Sequence, residues 1–206
     1  MCLDRSMRQR IRWLMGHFLD GAFSNTREGI EYLQDVLGMP ESKPVHYPYL
    51  VPEARALWSG KNGHMPGFSA HPVFLFVGSI EKRQGWRQLL EAIQRLRDRT
   101  SCSFSVVFVG DGPNIGELCQ LASSGGLSGS LHVVGPVLYD NLGAYFEACD
   151  VFVLPTLTDT WATVIVKGML FGKPILCSKY AGAKEMIQHG VNGFIFDPCN
   201  AEELAS

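Results

Sequence analysis

From residue 73 onward, short β-branched or aromatic runs alternate with segments of helical period, and this alternation restricts the possible folds more than any other feature of the chain. The run VFLFV at 73–77 reads as a buried strand, and in the segment after it Trp86, Leu89, Leu90, Ile93 and Leu96 make one apolar stripe. The unit recurs. Predicted strands at 105–109, 131–134, 151–154 and 175–177 precede predicted helices at 115–122, 141–148, 163–171 and 183–189, and a last strand at 194–196 leads into 201–205. Strands separated by helices require right-handed crossovers. The pattern therefore predicts a doubly wound, Rossmann-like α/β domain, a parallel sheet with helices on both faces.

Ahead of residue 73 the pattern is incomplete. The spacing predicts helices at 8–19 and 27–37, the second capped by Asn25 or Thr26 and stopped by Gly38, and 45–50 has the composition of a strand. These elements cannot close a core alone. The stretch 58–72 holds Gly60, Gly63, Pro66, Gly67 and Pro72 and reads as a linker. The expected organisation is a partial domain segment over 1–57, the linker 58–72, and a main domain over 73–206.

Composition removes several function classes. Eighteen Lys plus Arg against 20 Asp plus Glu in 206 residues leave no basic field to concentrate a phosphate backbone, so no nucleic acid is expected as a partner. The apolar runs, such as 151–155, fall far short of the roughly 20 residues of a membrane span. The six cysteines form no Cys-x-x-Cys pair and have no histidines at ligand spacing, so no structural zinc is expected. Cysteines such as Cys177, in apolar surroundings, read as free thiols of a reducing, cytoplasmic compartment. The first predicted helix carries Arg8, Arg10 and Arg12, with Met7, Ile11, Leu14 and Phe18 on its other side. Such a helix either lies peripherally on an anionic membrane or covers a partner surface absent from the chain.

In open α/β sheets ligands sit beyond the carboxyl ends of the strands. The first such loop, Gly78-Ser79-Ile80-Glu81-Lys82-Arg83-Gln84-Gly85, is bracketed by glycines and opens a helix, where backbone amides favour anions. Equally, its glycines can simply shape a turn. Gly110-Asp111-Gly112-Pro113, with Gly116, approaches the dinucleotide fingerprint, but its last glycine is one residue late and Ser130 stands where the ribose acid belongs. A nicotinamide-binding oxidoreductase domain rests on that loop alone. Gly168 to Pro174 is not a P-loop, having three residues where four are needed and proline in place of the magnesium-binding hydroxyl. Asp159, near a predicted helix start, reads by itself as a cap or dipole partner.

In combination, four segments resemble the carboxyl-terminal, donor-binding domain of the group 1 family of GT-B retaining glycosyltransferases. They are FVGSIEKRQGWRQLLEAI, VVFVGDGPNIGELCQLA, the long stretch from Leu131 to Ser178, and GAKEMIQHGVNGFIFDP. Gly110-Asp111-Gly112-Pro113, the strand from Asp150 to Pro155, Gly172-Lys173-Pro174, and Glu185 ahead of Asn192-Gly193 occur in the family's order. Residues 20–51 are similar to the end of the family's amino-terminal, acceptor-side domain, so the expected chain is a fragment or a truncated reading frame.

The resemblance implies transfer of a sugar, with retention, from a nucleotide-diphosphate sugar to an acceptor that the sequence does not name, without metal or other cofactor, the nucleotide sugar being a substrate. Leaving-group charge would be stabilised by fixed donors rather than by a covalent nucleophile. It places Asp159 in the catalytic position and Gly78, Ser79, Gln84, Val137, Thr160, Trp161, Ala162, Thr163 and Lys167 around the donor. Val137 takes the nucleobase position. Ser79 and Gln84 stand where the family has a diphosphate-binding Arg and Lys, and Lys82 and Arg83 are the neighbours that can compensate. Lys167 replaces the acid that accepts from ribose hydroxyls, and an ammonium has donors only. Ala162 replaces a glycine. Two functions are therefore expected, a glycosyltransferase donor half or a non-catalytic homologue that folds without turnover.

Overall fold

The computed structural model describes residues 5–49, 67–68 and 70–205, which form two compact units divided between Leu50 and Val51. Most of the predicted linker at 58–72 lies outside the described residues, as do Cys2 and Leu50.

The first unit contains α1 (Arg5–Phe18), β1 (Ala22–Ser24), α2 (Arg27–Glu31) and β2 (Pro44–His46), with β1 and β2 paired in parallel. Of the two predicted caps Thr26 is the one used, its Oγ1 accepting the Gly29 N–H at 2.9 Å. The predicted helix at 27–37 is not uniform: α2 passes into a π turn at Tyr32–Val36. That turn sets the Leu37 carbonyl so close to Gly16 of α1 that a Cβ there would stand 2.1 Å from its oxygen. The predicted strand at 45–50 stops early because Pro48 has no N–H to offer a ladder. In α1 the row Met7, Ile11, Leu14 and Phe18 is exposed.

The second unit is built on β3 (Val73–Val77), β4 (Ser105–Val109), β5 (Leu131–Gly135), β6 (Val151–Leu154), β7 (Ile175–Ser178) and β8 (Gly193–Phe196). All pair in parallel, in the order β5-β4-β3-β6-β7-β8. Helices α3 (Trp86–Arg99), α4 (Ile115–Ser124), α5 (Leu142–Ala148), α6 (Thr163–Leu170) and α7 (Ala201–Leu204) connect or follow the strands. The doubly wound α/β prediction therefore holds.

Successive strand residues point to opposite faces. Val73, Leu75, Val107, Val109, Phe152, Leu154, Ile175 and Cys177 pack with α5 and α6 on one face. Phe76, Val106, Phe108 and Val153 pack with α3 and α4 on the other. In α3 the stripe of Trp86, Leu89, Leu90 and Ile93 is buried as its spacing requires. Each such side chain contributes roughly 1.5–3 kcal/mol on burial, and Phe152→Ala, a core truncation, would cost about 3–5 kcal/mol.

One predicted helix is absent. Residues 183–189 form only a short 3-10 turn at Gly182–Met186. Its first amides are committed elsewhere, Gly182 N–H to the Asp159 carbonyl at 3.0 Å and Ala183 N–H to the Trp161 carbonyl at 2.7 Å. Gln188 N–H goes to Asn192 Oδ1 at 2.8 Å, which turns the chain toward β8.

From β3 the chain winds outward to β4 and β5, then returns to the other side of β3 and winds outward again through β6, β7 and β8. The reversal point lies between β3 and β6. The loops leaving those two strands are the walls of the crevice such a reversal creates.

Candidate functional site

The two walls are fastened together by backbone. The Arg83 carbonyl accepts from Leu157 N–H at 2.8 Å and from Thr156 Oγ1 at 3.1 Å. Thr156 is fully buried, and its Oγ1 also lies 3.1 Å from the Thr158 carbonyl, so its single proton is shared between the two oxygens. Its hydroxyl thus fixes the loop after β6 and the 3-10 turn Lys82–Gln84 against one another. The sequence signal for it was a polar residue set directly after the apolar strand and Pro155.

The side chains at this mouth form one polar cluster. Arg83 Nη2 donates to Glu81 Oε1 at 2.9 Å, and Nη1 donates to the Thr158 carbonyl at 3.1 Å while standing 3.7 Å from Asp159 Oδ2. The buried Gln84 amide lies between them. Turned one way its Nε2 is 3.5 Å from Asp159 Oδ2; turned the other, its oxygen accepts from both Arg83 terminal nitrogens at 3.0 Å and satisfies more donors. Asp159 Oδ1 accepts the Trp161 N–H at 3.1 Å. Asp159 is therefore not the cap of α6, as it read in isolation. That position belongs to Ala162, which makes no side-chain cap and sits in the left-handed region at φ 67, ψ 66.

The remaining predicted donor residues are distributed around this cluster. Gly78 directly follows β3 and gives its N–H to the Val109 carbonyl at 3.0 Å, while Ser79 and Lys82 are exposed. Thr160 and Thr163 are exposed and Trp161 is buried, its carbonyl taking the Ala183 N–H. Val137 packs on the α5 and α6 side of the core. Lys167, one turn along α6 from Thr163, is half-buried and lies over the Tyr139 ring, with Nζ 4.6 Å from its centroid. Burial holds its pKa below the usual lysine range. Tyr139 was not predicted as a site residue. Nothing in local spacing links it to Lys167, because the ring sits on the turn after β5 and the lysine on α6.

The Gly110 loop has a structural occupation. A Cβ on Gly110 would stand 2.0 Å from the Gly78 carbonyl oxygen, and one on Gly112 would stand 2.6 Å from that of Ile80. Ile80 N–H donates to the Asp111 carbonyl at 2.9 Å and accepts Asn114 N–H at its own carbonyl at 3.0 Å. These glycines let the loop after β3 lie against the loop after β4, which accounts for them without a dinucleotide. Among the described residues no three His, Cys, Asp or Glu are grouped to hold a metal, and no helix is long and apolar enough to cross a membrane.

Comparison with known proteins places this geometry in context. The family model described as glycosyl transferases group 1 matches residues 67–206. A 2-deoxystreptamine glucosyltransferase of Streptomyces kanamyceticus is 28% identical over 134 residues, covering 65% of this chain and 34% of its own length. The putative teichuronic acid biosynthesis glycosyltransferase TuaC of Bacillus subtilis is 30% identical over 135 residues, covering 64% and 30%. Among solved structures, HepE of Anabaena in complex with UDP superposes with a TM-score of 0.79 at 20% identity, over 98% of this chain and 57% of that one. A glycosyltransferase of Rickettsia africae superposes with 0.80 at 17% identity, over 100% and 56%. The chain thus spans about a third of the length of these curated relatives.

Proposed function

Since the chain belongs to the group 1 glycosyl transferases by its match over residues 67–206, we propose that its second unit is the donor side of a glycosyltransferase, taking a nucleotide-diphosphate sugar at the crevice between β3 and β6. The observation that carries this reading is the cluster at the reversal point, where Arg83, Gln84 and Asp159 meet between two loops fixed by Thr156. Structures of HepE from Anabaena with UDP and with UDP-glucose are consistent with a uridine nucleotide in this fold.

In this reading the sugar lies near Asp159, the diphosphate crosses Gly78, Ser79 and the Thr160–Thr163 turn, and the base rests near Val137. Transfer proceeds with retention, and leaving-group charge is met by fixed donors without a metal. Residues 1–57 belong to the acceptor side. The exposed row Met7, Ile11, Leu14 and Phe18 among arginines makes α1 a candidate contact for an anionic membrane surface, and the free cysteines fit a reducing, cytoplasmic setting.

A second reading, a homologue that folds without turnover, is favoured by one feature. Arg83 is held by Glu81, Thr158 and the Asp159 carboxylate, so neither side of that ion pair is free for a donor.

Calorimetry with UDP and GDP sugars tests the assignment. Ser79 is exposed, so Ser79→Arg adds a cation to the loop without displacing packing and should strengthen donor binding by about two- to five-fold, as an exposed ion pair does. Unchanged binding in that variant would remove the diphosphate from this loop. Sugar release or transfer by the 206-residue chain would remove the second reading.

A further inference from the structure

Three of the residues predicted around the donor, or as its compensating neighbours, are cations, and their surroundings differ. The Arg83 guanidinium is shared among Glu81, the Thr158 carbonyl and Asp159. Lys82 is exposed, where a hydrated ammonium gains little from one more anion. Lys167 is half-buried, and among the described residues no carboxylate pairs with it. Its ammonium is stripped of part of its water and lies against the Tyr139 ring, which answers its charge only through a quadrupole.

A partly desolvated cation on a rigid helix, held in one direction by an aromatic face and lacking a counter-ion, is arranged for an anion supplied by a ligand. Helix α6 fixes the Lys167 backbone, and the turn Tyr139–Asn141 that carries the ring runs directly into α5, on the same face of the sheet. Both partners are therefore positioned by packed elements. We infer that Lys167 and Tyr139 form an anion-binding subsite of this chain, taking a phosphate group of its ligand. The inference rests on the nucleotide reading for the identity of the ligand but not for the anion site itself.

The test is calorimetry on the full chain at millimolar ligand, with UDP, pyrophosphate and uridine as probes and thermal melts to establish folding. Lys167→Met should weaken UDP and pyrophosphate by about tenfold or more and leave uridine unaffected, because a hydrogen bond to a charged partner is lost. Lys167→Arg should restore most of that affinity, since a guanidinium also stacks on the ring. Tyr139→Leu, which removes the ring but no charge, supplies a second variant should Lys167→Met fold poorly, and it should weaken both anions by a few-fold. If UDP binds the parent and Lys167→Met alike, the anion subsite is overturned while the nucleotide reading stands. If pyrophosphate binding is lost in Lys167→Met but UDP binds no better than pyrophosphate, the subsite stands and the nucleotide reading falls. If neither anion binds the parent chain, the subsite is overturned.

Discussion

Gly85 lies directly against Pro155: a Cβ built on Gly85 would stand 1.9 Å from the Pro155 carbonyl oxygen. Gly85 also adopts φ 70, at the junction where the 3-10 turn Lys82–Gln84 becomes α3. Two constraints coincide there, a left-handed backbone that L side chains resist and a contact with the loop after β6 that has no room for a methyl. Gly85→Ala should therefore destabilise the second unit by about 2 kcal/mol or more, with the fold retained, as read from urea midpoints. A midpoint equal to that of the parent would show that the two loops are not fastened as described.

Ala162 presents the opposite case. It is the positive-φ residue other than glycine among the described residues, and it immediately precedes α6. A left-handed L residue costs roughly 1–2 kcal/mol, against which the more flexible unfolded chain of a glycine variant costs about 0.4–1 kcal/mol. Ala162→Gly should thus stabilise the second unit by about 0.5–1 kcal/mol, raising its melting temperature by a few degrees. A lower melting temperature would mean that the methyl group makes contacts worth more than the strain.

The fold was legible because each signal it needs is local. The near-continuous apolar runs at 73–77 and 105–109, buried or half-buried at every position, and the 3.6-period stripe from Trp86 to Ile93 depend only on neighbouring residues. Where the reading departed from the structure, a partner outside the segment decided the outcome. Residues 183–189 have helical composition, yet Asn192 takes the Gln188 amide that would continue the helix, and Ile187 is extended. The candidate site divides in the same way. Gly78, Gly85 and Pro155 mark the crevice in the sequence, whereas the Arg83 to Asp159 contact and the stacking of Lys167 on Tyr139 arise from elements that only the sheet order brings together.

Asp150 joins the starts of β3 and β6 on the edge of the sheet opposite the crevice. Its Oδ2 accepts Val73 N–H at 2.7 Å and meets His71 Nδ1 at 2.6 Å. Burial acts to raise its pKa, but the Val73 bond and His71 together outweigh this and hold the carboxyl below its ordinary range. A lowered carboxylate pKa adds stability that is present above the ordinary value of 3.8 and lost as pH falls through the folded value. The side chain is 44% exposed, so screening reduces the contribution, and Asp150→Asn should cost about 1 kcal/mol at neutral pH. Urea midpoints of parent and variant should converge below pH 3.8. A gap that persists in acid would assign the effect to geometry rather than charge.

Cys149 and Cys177 sit in the core beside β6 and in β7, while Cys102, Cys119 and Cys199 are exposed. Burial, the largest influence on both, pushes each buried thiol from about 9 up to about 12. At pH 8 neither carries appreciable thiolate in the folded chain, so iodoacetamide followed by peptide mapping should label the three exposed residues and spare the two buried ones until the unit unfolds. The same shift has a stability consequence with a definite sign. The unfolded thiols lose protons near pH 9 and the folded ones only near 12, so folding stability falls across that interval, by up to about 4 kcal/mol for each thiol at its upper end. Replacing Cys177, which has no measurable exposure, by alanine should flatten the alkaline limb of the stability profile while lowering stability at neutral pH by about 1–2 kcal/mol for the lost packing. An alkaline limb as steep in Cys177→Ala as in the parent would place its origin in groups other than this thiol.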